Sequence, residues 1–293
     1  MGRDLAESFA CARMVFQEVD DRLGFGLSRL CFEGPAEKLA LTEHAQPAIL
    51  AASLASYRVL EETIGLTPLA VAGHSLGEWS ALVAAKVLEL GDAAHGVRER
   101  GRLMQRAVPV GVGAMAALLG ADLEVAEALC AEAAGGEVVT PANLNGGGQI
   151  VVAGHAGAVD RVIAAASARR VRAQKLAVSA PFHCPLMQPA ADGLHPLLET
   201  LRYAEPAIPI VTSVEARRVA SAREIPQLLE RQVTAAVRWE ETAQVLATFG
   251  PRVAIEAGPG RTLTGLMKRI LPELQCFPAG DLEGVEKVRG AFA

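Results

Sequence analysis

A short apolar run at residues 69–72 (Leu-Ala-Val-Ala) passes directly into Gly73-His-Ser-Leu-Gly77, and helix-forming residues follow over 78–88. Strand, tight glycine turn and helix make an α/β unit. The composition agrees, with 51% hydrophobic residues, only 4% aromatics, and Ala, Val and Leu in excess. Small aliphatics at this density suit helix-on-sheet packing better than a β-sandwich. A chain of 293 residues holds one large domain, or one domain plus an insert.

Flanking segments extend the pattern. Helices are expected over 4–23 and from 46 or 47 to 64, where Pro47 fits a first helical turn. From Gly111 the character changes. Strands are expected at 114–119, 138–143, 149–153 and 172–178, with helices at 123–134 and 156–169. The order βαββαβ is the ferredoxin-like pattern, and α/β segments resume after it. These comprise a strand at 208–212, helices near 225–233 and 240–249, and a strand at 253–256. The last leads through Gly258-Pro-Gly260 into a helix at 263–270.

The turn itself matches G-x-S-x-G, in which flanking glycines let a serine occupy a strained elbow with its hydroxyl exposed above the strand ends. Ser75 is the candidate nucleophile, and the Leu76 N–H, at the helix start, faces a developing oxyanion. An ordinary strand-to-helix turn is the alternative. A serine needs a base. His183 lies in an apolar stretch with prolines on both sides, where the insert returns to the main domain. There it either pairs with the serine or sits in the core. His74 should point away from its neighbour's hydroxyl, and His44, His95, His155 and His195 are expected to be solvated. Residues 92–108 read as a helix with Asp92 as N-cap. Its stripe Val97, Arg100, Gly101, Met104 and Val108 turns Arg100 and Met104 inward. An inward guanidinium needs an anion, either an internal carboxylate or a substrate with a free carboxylate.

The net charge of −5 without a basic block argues against nucleic acid. No apolar run reaches about 18 residues, so no membrane span is expected. Five scattered cysteines form no metal motif. The expectation is a soluble, cytoplasmic monomer without metal or cofactor.

Eight motifs then carry a resemblance. Gln46-Pro-Ala-Ile-Leu50, Gly73-His-Ser-Leu-Gly-Glu78, Arg100-Gly101 and Gly111-Val-Gly-Ala-Met-Ala116 are followed by Ala142-Asn-Leu-Asn145, Gln149-Ile-Val-Val-Ala-Gly154, Phe182-His183 and Glu256-Ala-Gly-Pro-Gly260. In this order they resemble malonyl-CoA:acyl carrier protein transacylases and the acyltransferase domains of polyketide synthases. The resemblance implies an α/β-hydrolase-like domain with a parallel sheet (1–111 and 180–293), interrupted by a ferredoxin-like one (112–179). It implies ping-pong transfer of malonyl from coenzyme A to Ser75, then to the phosphopantetheine thiol of acyl carrier protein, in fatty-acid or polyketide synthesis. Arg100 would bind the malonyl carboxylate, with Met104 as a further substrate contact. His183 would act as base and then acid, oriented by the main-chain carbonyl of Gln232. Phe182 before the histidine resembles malonyl-selective members and would crowd a branched α-carbon.

The family also opens with a strand and a Gly-Gln-Gly-Ser-Gln loop that supplies a second oxyanion N–H. Met1-Gly-Arg-Asp-Leu5 resembles the segment just after that loop, so a central strand and one donor are expected to be absent. Two rival readings use the same residues. One is a serine hydrolase, which would normally carry an acid between nucleophile and histidine and a histidine near the C-terminus. The other is a non-catalytic relative that only docks carrier protein.

Overall fold

The structure is a computed structural model that describes residues 1–178 and 180–292. The expected boundary at 179 and the last residue, 293, fall outside the described residues. Nine strands occur among these: β1 Val71–Ala72, β2 Gly113–Leu119, β3 Val139–Gly146, β4 Gln149–His155, β5 Arg172–Lys175, β6 Ile210–Thr212, β7 Arg217–Arg218, β8 Val253–Glu256 and β9 Gln275–Pro278.

Strands β2 to β5 form one antiparallel sheet in the order β3-β4-β2-β5. With the helices Leu123–Ala133 and Ala156–Ala168 this is the ferredoxin-like arrangement. Both faces of β2 are covered, which explains its unbroken apolar run. Ala114, Ala116 and Leu118 pack with Leu129 and Val162 of the helices. Met115 and Ala117 face the other way, onto Phe182, Cys184 and Leu186. The sheet thus roofs the segment that carries His183. Strand β3 runs three residues beyond its expected end, to a hairpin at Gly146, Gly147 and Gly148, all with positive φ. Strand β5 is shorter than expected, because its pairing ends at Ala116–Lys175 with one further bond from Leu176 N–H to Met115 O.

The parallel strands elsewhere fall into two short pieces. β1 pairs with β6, which also pairs antiparallel with β7, and β8 pairs with β9. Around them lie the helices Ala10–Leu23, Thr42–Ile64 and Leu90–Ala107, which share the main core. Three expectations change here. The first helix breaks at Phe9, whose backbone is extended, and Arg13 Nη1 donates to the freed Ala6 carbonyl at 2.9 Å. The second begins at Thr42 and carries Pro47 inside it. The third starts at Leu90 with Glu89 as N-cap, so Asp92 is a first-turn residue paired with Arg22 at 3.1 Å. The helix Gln188–Thr200 was hidden by Pro189, Gly193 and Pro196, although proline fits a first turn.

Two glycines set the helix spacing around the elbow. A Cβ on Gly101 would lie 2.6 Å from the Thr42 carbonyl oxygen, and one on Gly96 would lie 2.4 Å from the Trp79 ring. Leu90–Ala107 therefore touches the first turn of Thr42–Ile64 and the helix Gly77–Ala84. Arg100 is brought against Gln46 by that contact.

Candidate active site

Ser75 follows β1 at φ 51°, in the left-handed region, before the helix Gly77–Ala84. A Cβ on Gly73 would sit 1.9 Å from the Gly77 carbonyl carbon, so only glycine permits this turn. The N–H groups of Gly77, Glu78 and Trp79 bond back to the carbonyls of His74, Ser75 and Leu76. Leu76 is the N-cap residue, and its side chain is buried.

Ser75 Oγ lies 2.7 Å from His183 Nε2. His183 Nδ1 lies 2.9 Å from the Gln232 carbonyl oxygen. A carbonyl only accepts, so Nδ1 carries the proton and Nε2 is left to accept from Ser75 Oγ–H. Burial, then the nearby Arg100 charge, pull the His183 pKa down to about 3. The ring is therefore neutral and able to take a proton. His183 also has positive φ, 60°, as part of the turn between Ala180 and the helical turn Pro185–Met187.

Arg100 is 2% exposed. It donates to Gln46 Oε1 at 2.7 Å, Ser75 Oγ at 3.0 Å and Gln232 Oε1 at 3.0 Å, and its Nε is buried without a partner. Burial lowers its pKa to about 10, against an opposing contribution from Glu78. Met104 stands behind Gln46, its Sδ 3.7 Å from Gln46 Nε2. Phe182 is half-buried between the main core and the small sheet.

Ser75, His183, Arg100 and the Gln232 carbonyl thus converge, with Leu76 beside them. The remaining histidines sort differently. His74 turns away from Ser75, and its Nε2 lies 2.9 Å from Asn145 Oδ1. His44 is buried against Phe25 rather than solvated. His155 Nδ1 accepts from the Val138 N–H at 3.0 Å, and His195 pairs with Glu230 on the surface.

Three site residues escaped the reading of single residues. Gln46 lies on the buried stripe Gln46, Leu50, Ser53, Tyr57, so an amide on an apolar face was its signal. Glu78, 2% exposed, is the one acid within the helix Gly77–Ala84. Asn145 reaches His74 because β3 shifts register between Leu144 and Gly146, and no local pattern announces that bulge.

Among the described residues no group of three or more His, Cys, Asp or Glu side chains could hold a metal. No described helix is long and apolar enough to cross a membrane.

The sequence pattern of the acyl transferase domain matches residues 1–284. The malonyl CoA-acyl carrier protein transacylase of Haemophilus influenzae is 44% identical over 287 residues, covering 97% of this chain and 92% of that protein. The crystal structure of malonyl-CoA:acyl carrier protein transacylase from Xanthomonas oryzae pv. oryzae is 46% identical, with a TM-score of 0.97 and coverage of 100% and 94%. A type II polyketide synthase acyl carrier protein in complex with its malonyl-transacylase gives a TM-score of 0.96 at 43% identity, with coverage of 99% and 94%. With likeness of this extent in both sequence and fold, the chain belongs to the malonyl-CoA:acyl carrier protein transacylase family of acyltransferases.

Proposed function

We propose that the chain moves a malonyl group from malonyl-CoA to Ser75 and from there to the phosphopantetheine thiol of acyl carrier protein. The observation that carries this is the position of Ser75 Oγ between His183 Nε2 and Arg100 Nη2. His183 takes the Ser75 proton as the hydroxyl attacks the thioester carbonyl, then gives it to the departing coenzyme A thiolate. In the second half the carrier thiol gives its proton to His183, attacks the acyl-serine ester, and Ser75 recovers a proton as it leaves. The Leu76 N–H meets the oxyanion in both halves. The Gln232 carbonyl holds the imidazole in the tautomer that both halves need, so no acidic third residue is required.

Arg100 binds the malonyl carboxylate. Its Nε has no acceptor and its Nη2 already reaches Ser75. The planar fork suits a carboxylate, and burial strengthens the pairing. Phe182 walls the acyl site against a branched α-carbon, and Met104 backs it through Gln46. The chemistry needs neither metal nor cofactor beyond the thioester substrate. Residues 112–179 act as the smaller domain over the site, and 1–111 with 180–293 as the larger, in a cytoplasmic monomer.

Carrier docking falls to basic residues at one end of the small sheet. Leu119 of β2 pairs with both Gln149 and Arg172 there. A Cβ on the adjacent Gly147 would lie 2.8 Å from Arg269 Cβ. Arg172 and Arg269, with exposed Arg170 and Lys268 next to them, give an arc suited to an acidic carrier. Arg169 and Lys175 are weaker candidates, since Glu132 and Asp160 pair with them at 2.6 Å each.

The test is intact mass after brief exposure to malonyl-CoA, followed by addition of holo acyl carrier protein. A single malonyl adduct that passes to the carrier is the expected result. Release of free malonate as fast as carrier loading would favour a hydrolase, and no adduct would favour a non-catalytic docking protein.

A further inference from the structure

Arg100 and Glu78 are both 2% exposed and lie on opposite sides of one carboxamide. Gln232 Oε1 accepts from Arg100 Nη2 at 3.0 Å, and Gln232 Nε2 donates to Glu78 Oε2 at 2.7 Å. The same Glu78 oxygen accepts from Ser213 N–H at 3.2 Å and from Ser213 Oγ–H at 2.8 Å. An amide has one accepting and one donating end. A carboxylate only accepts, so Glu78 dictates which end of Gln232 meets Arg100.

Every acceptor on Arg100 is a neutral oxygen, and among the described residues its guanidinium forms no ion pair within 4.0 Å. A buried cation without counter-charge is costly. A carboxylate placed directly against it would occupy the fork and leave nothing for a substrate. Burial raises the Glu78 pKa, and the bonds that Ser213 and Gln232 donate to it oppose that rise; the negative charge they hold stands one amide away from Arg100. The fork meets only neutral oxygens, which a substrate carboxylate can displace, while the buried pair remains neutral as a whole.

We infer that Glu78 is the counter-charge of Arg100, held off by the Gln232 carboxamide, and that this spacing limits how tightly the site grips a substrate carboxylate. The inference rests on the reading of Arg100 as the malonyl-binding residue. Glu78 touches no substrate, so it is a positioning residue. Its consequence is kinetic. A transferase must hold the acyl group and then let it go, and an anion bound at Arg100 feels the repulsion of Glu78 behind the amide. For charges about 10 Å apart at an effective dielectric of about 20, that repulsion is worth roughly tenfold in affinity. The same Gln232 holds His183 through its main chain, so one buried carboxylate steadies both the acid–base group and the anion fork.

Glu78→Gln tests the charge with the geometry kept, because the Ser213 and Gln232 bonds all fall on one oxygen. Steady-state kinetics with holo acyl carrier protein should give a malonyl-CoA KM lowered about 3–10-fold, together with a lower kcat as release from the site slows. Merely structural damage would raise KM instead. In an Arg100→Ala background the same change should have no effect on KM. An unchanged or raised KM in folded Glu78→Gln, or an equal fall without Arg100, overturns the inference. Gln232→Glu provides a second arm should Glu78→Gln not fold. It sets a carboxylate directly against Arg100 and should raise the malonyl-CoA KM by about tenfold or more while narrowing preference over acetyl-CoA. Full malonyl preference in that variant overturns the inference as well. Arg100→Ala alone separates the two levels. If it keeps malonyl preference, the reading of Arg100 fails, whereas if it loses preference and Glu78→Gln is silent, only the role of Glu78 fails.

Discussion

The small sheet and the region around the elbow use strands for different ends. In the small sheet, β2 pairs along its whole length with β4, and its middle five residues are buried. Around Ser75 the strands are two to four residues long, and all residues of β1 and β8 are half-buried. There the helices supply the core, and β1 serves to aim a turn. Both residues with reactive side chains, Ser75 and His183, adopt positive φ, which costs roughly 1–3 kcal/mol each for non-glycine residues. One region is built for packing. The other is built for placement and carries strain.

Substitutions can break this contrast in order of expected effect. Ser75→Ala should abolish the covalent malonyl adduct while leaving the melting temperature within a degree or two of the parent, as judged by intact mass and calorimetry. An adduct on the variant would mean that another residue is the nucleophile. Arg100→Ala should lower kcat/KM for malonyl-CoA by about 10²–10³-fold, and far less for acetyl-CoA. Equal losses would make Arg100 structural. Leu118→Ala, at a fully buried position of β2, should cost about 2–5 kcal/mol in denaturant unfolding. Ser75 loading per folded molecule should change little, and a collapse of loading would show that packing and placement are not separable.

The next test concerns pH. Because burial and then Arg100 hold His183 near 3, the folded state binds no proton there in a window where the unfolded histidine does. This group therefore lowers stability progressively as pH falls from about 6.5 to about 3, and contributes no slope above that window. The acid limb of kcat/KM for loading should lie well below 6.5 and move upward in Arg100→Ala. A limb at 6.5 in the parent protein would contradict the burial of the base. The smallest effect is expected at the rim. Arg172→Ala with Arg269→Ala should raise KM for acyl carrier protein a few-fold and flatten its salt dependence, with less change in the loading step. An unaltered salt response would remove the arc from the docking surface.

Much of this was legible in the sequence where local pattern and tertiary role coincide. The run at β2, the three glycines of the hairpin and the inward stripe through Arg100 each state their place by spacing alone. The residues that escaped depend on distant contacts. Nothing near Phe9 marks a helix break, because Arg13 repairs the lost bond. Glu78 carries no local mark of burial, which comes from Ser213, 135 positions away, folded against it. The N-cap of Leu90–Ala107 was misplaced because Asp92 is a good capping residue whose side chain is instead engaged with Arg22.

The left-handed backbone at Ser75 also limits which nucleophiles the scaffold can accept. A β-branched residue is a steric outlier at φ near 51°, so threonine, although it too offers a hydroxyl, is excluded by its extra methyl group. Cysteine adds no branch and fits. Its acyl-enzyme would be a thioester, close in energy to the donor and acceptor thioesters on either side. Among serine, threonine and cysteine, the choice open at this position is thus written by one dihedral angle, and it leaves two letters.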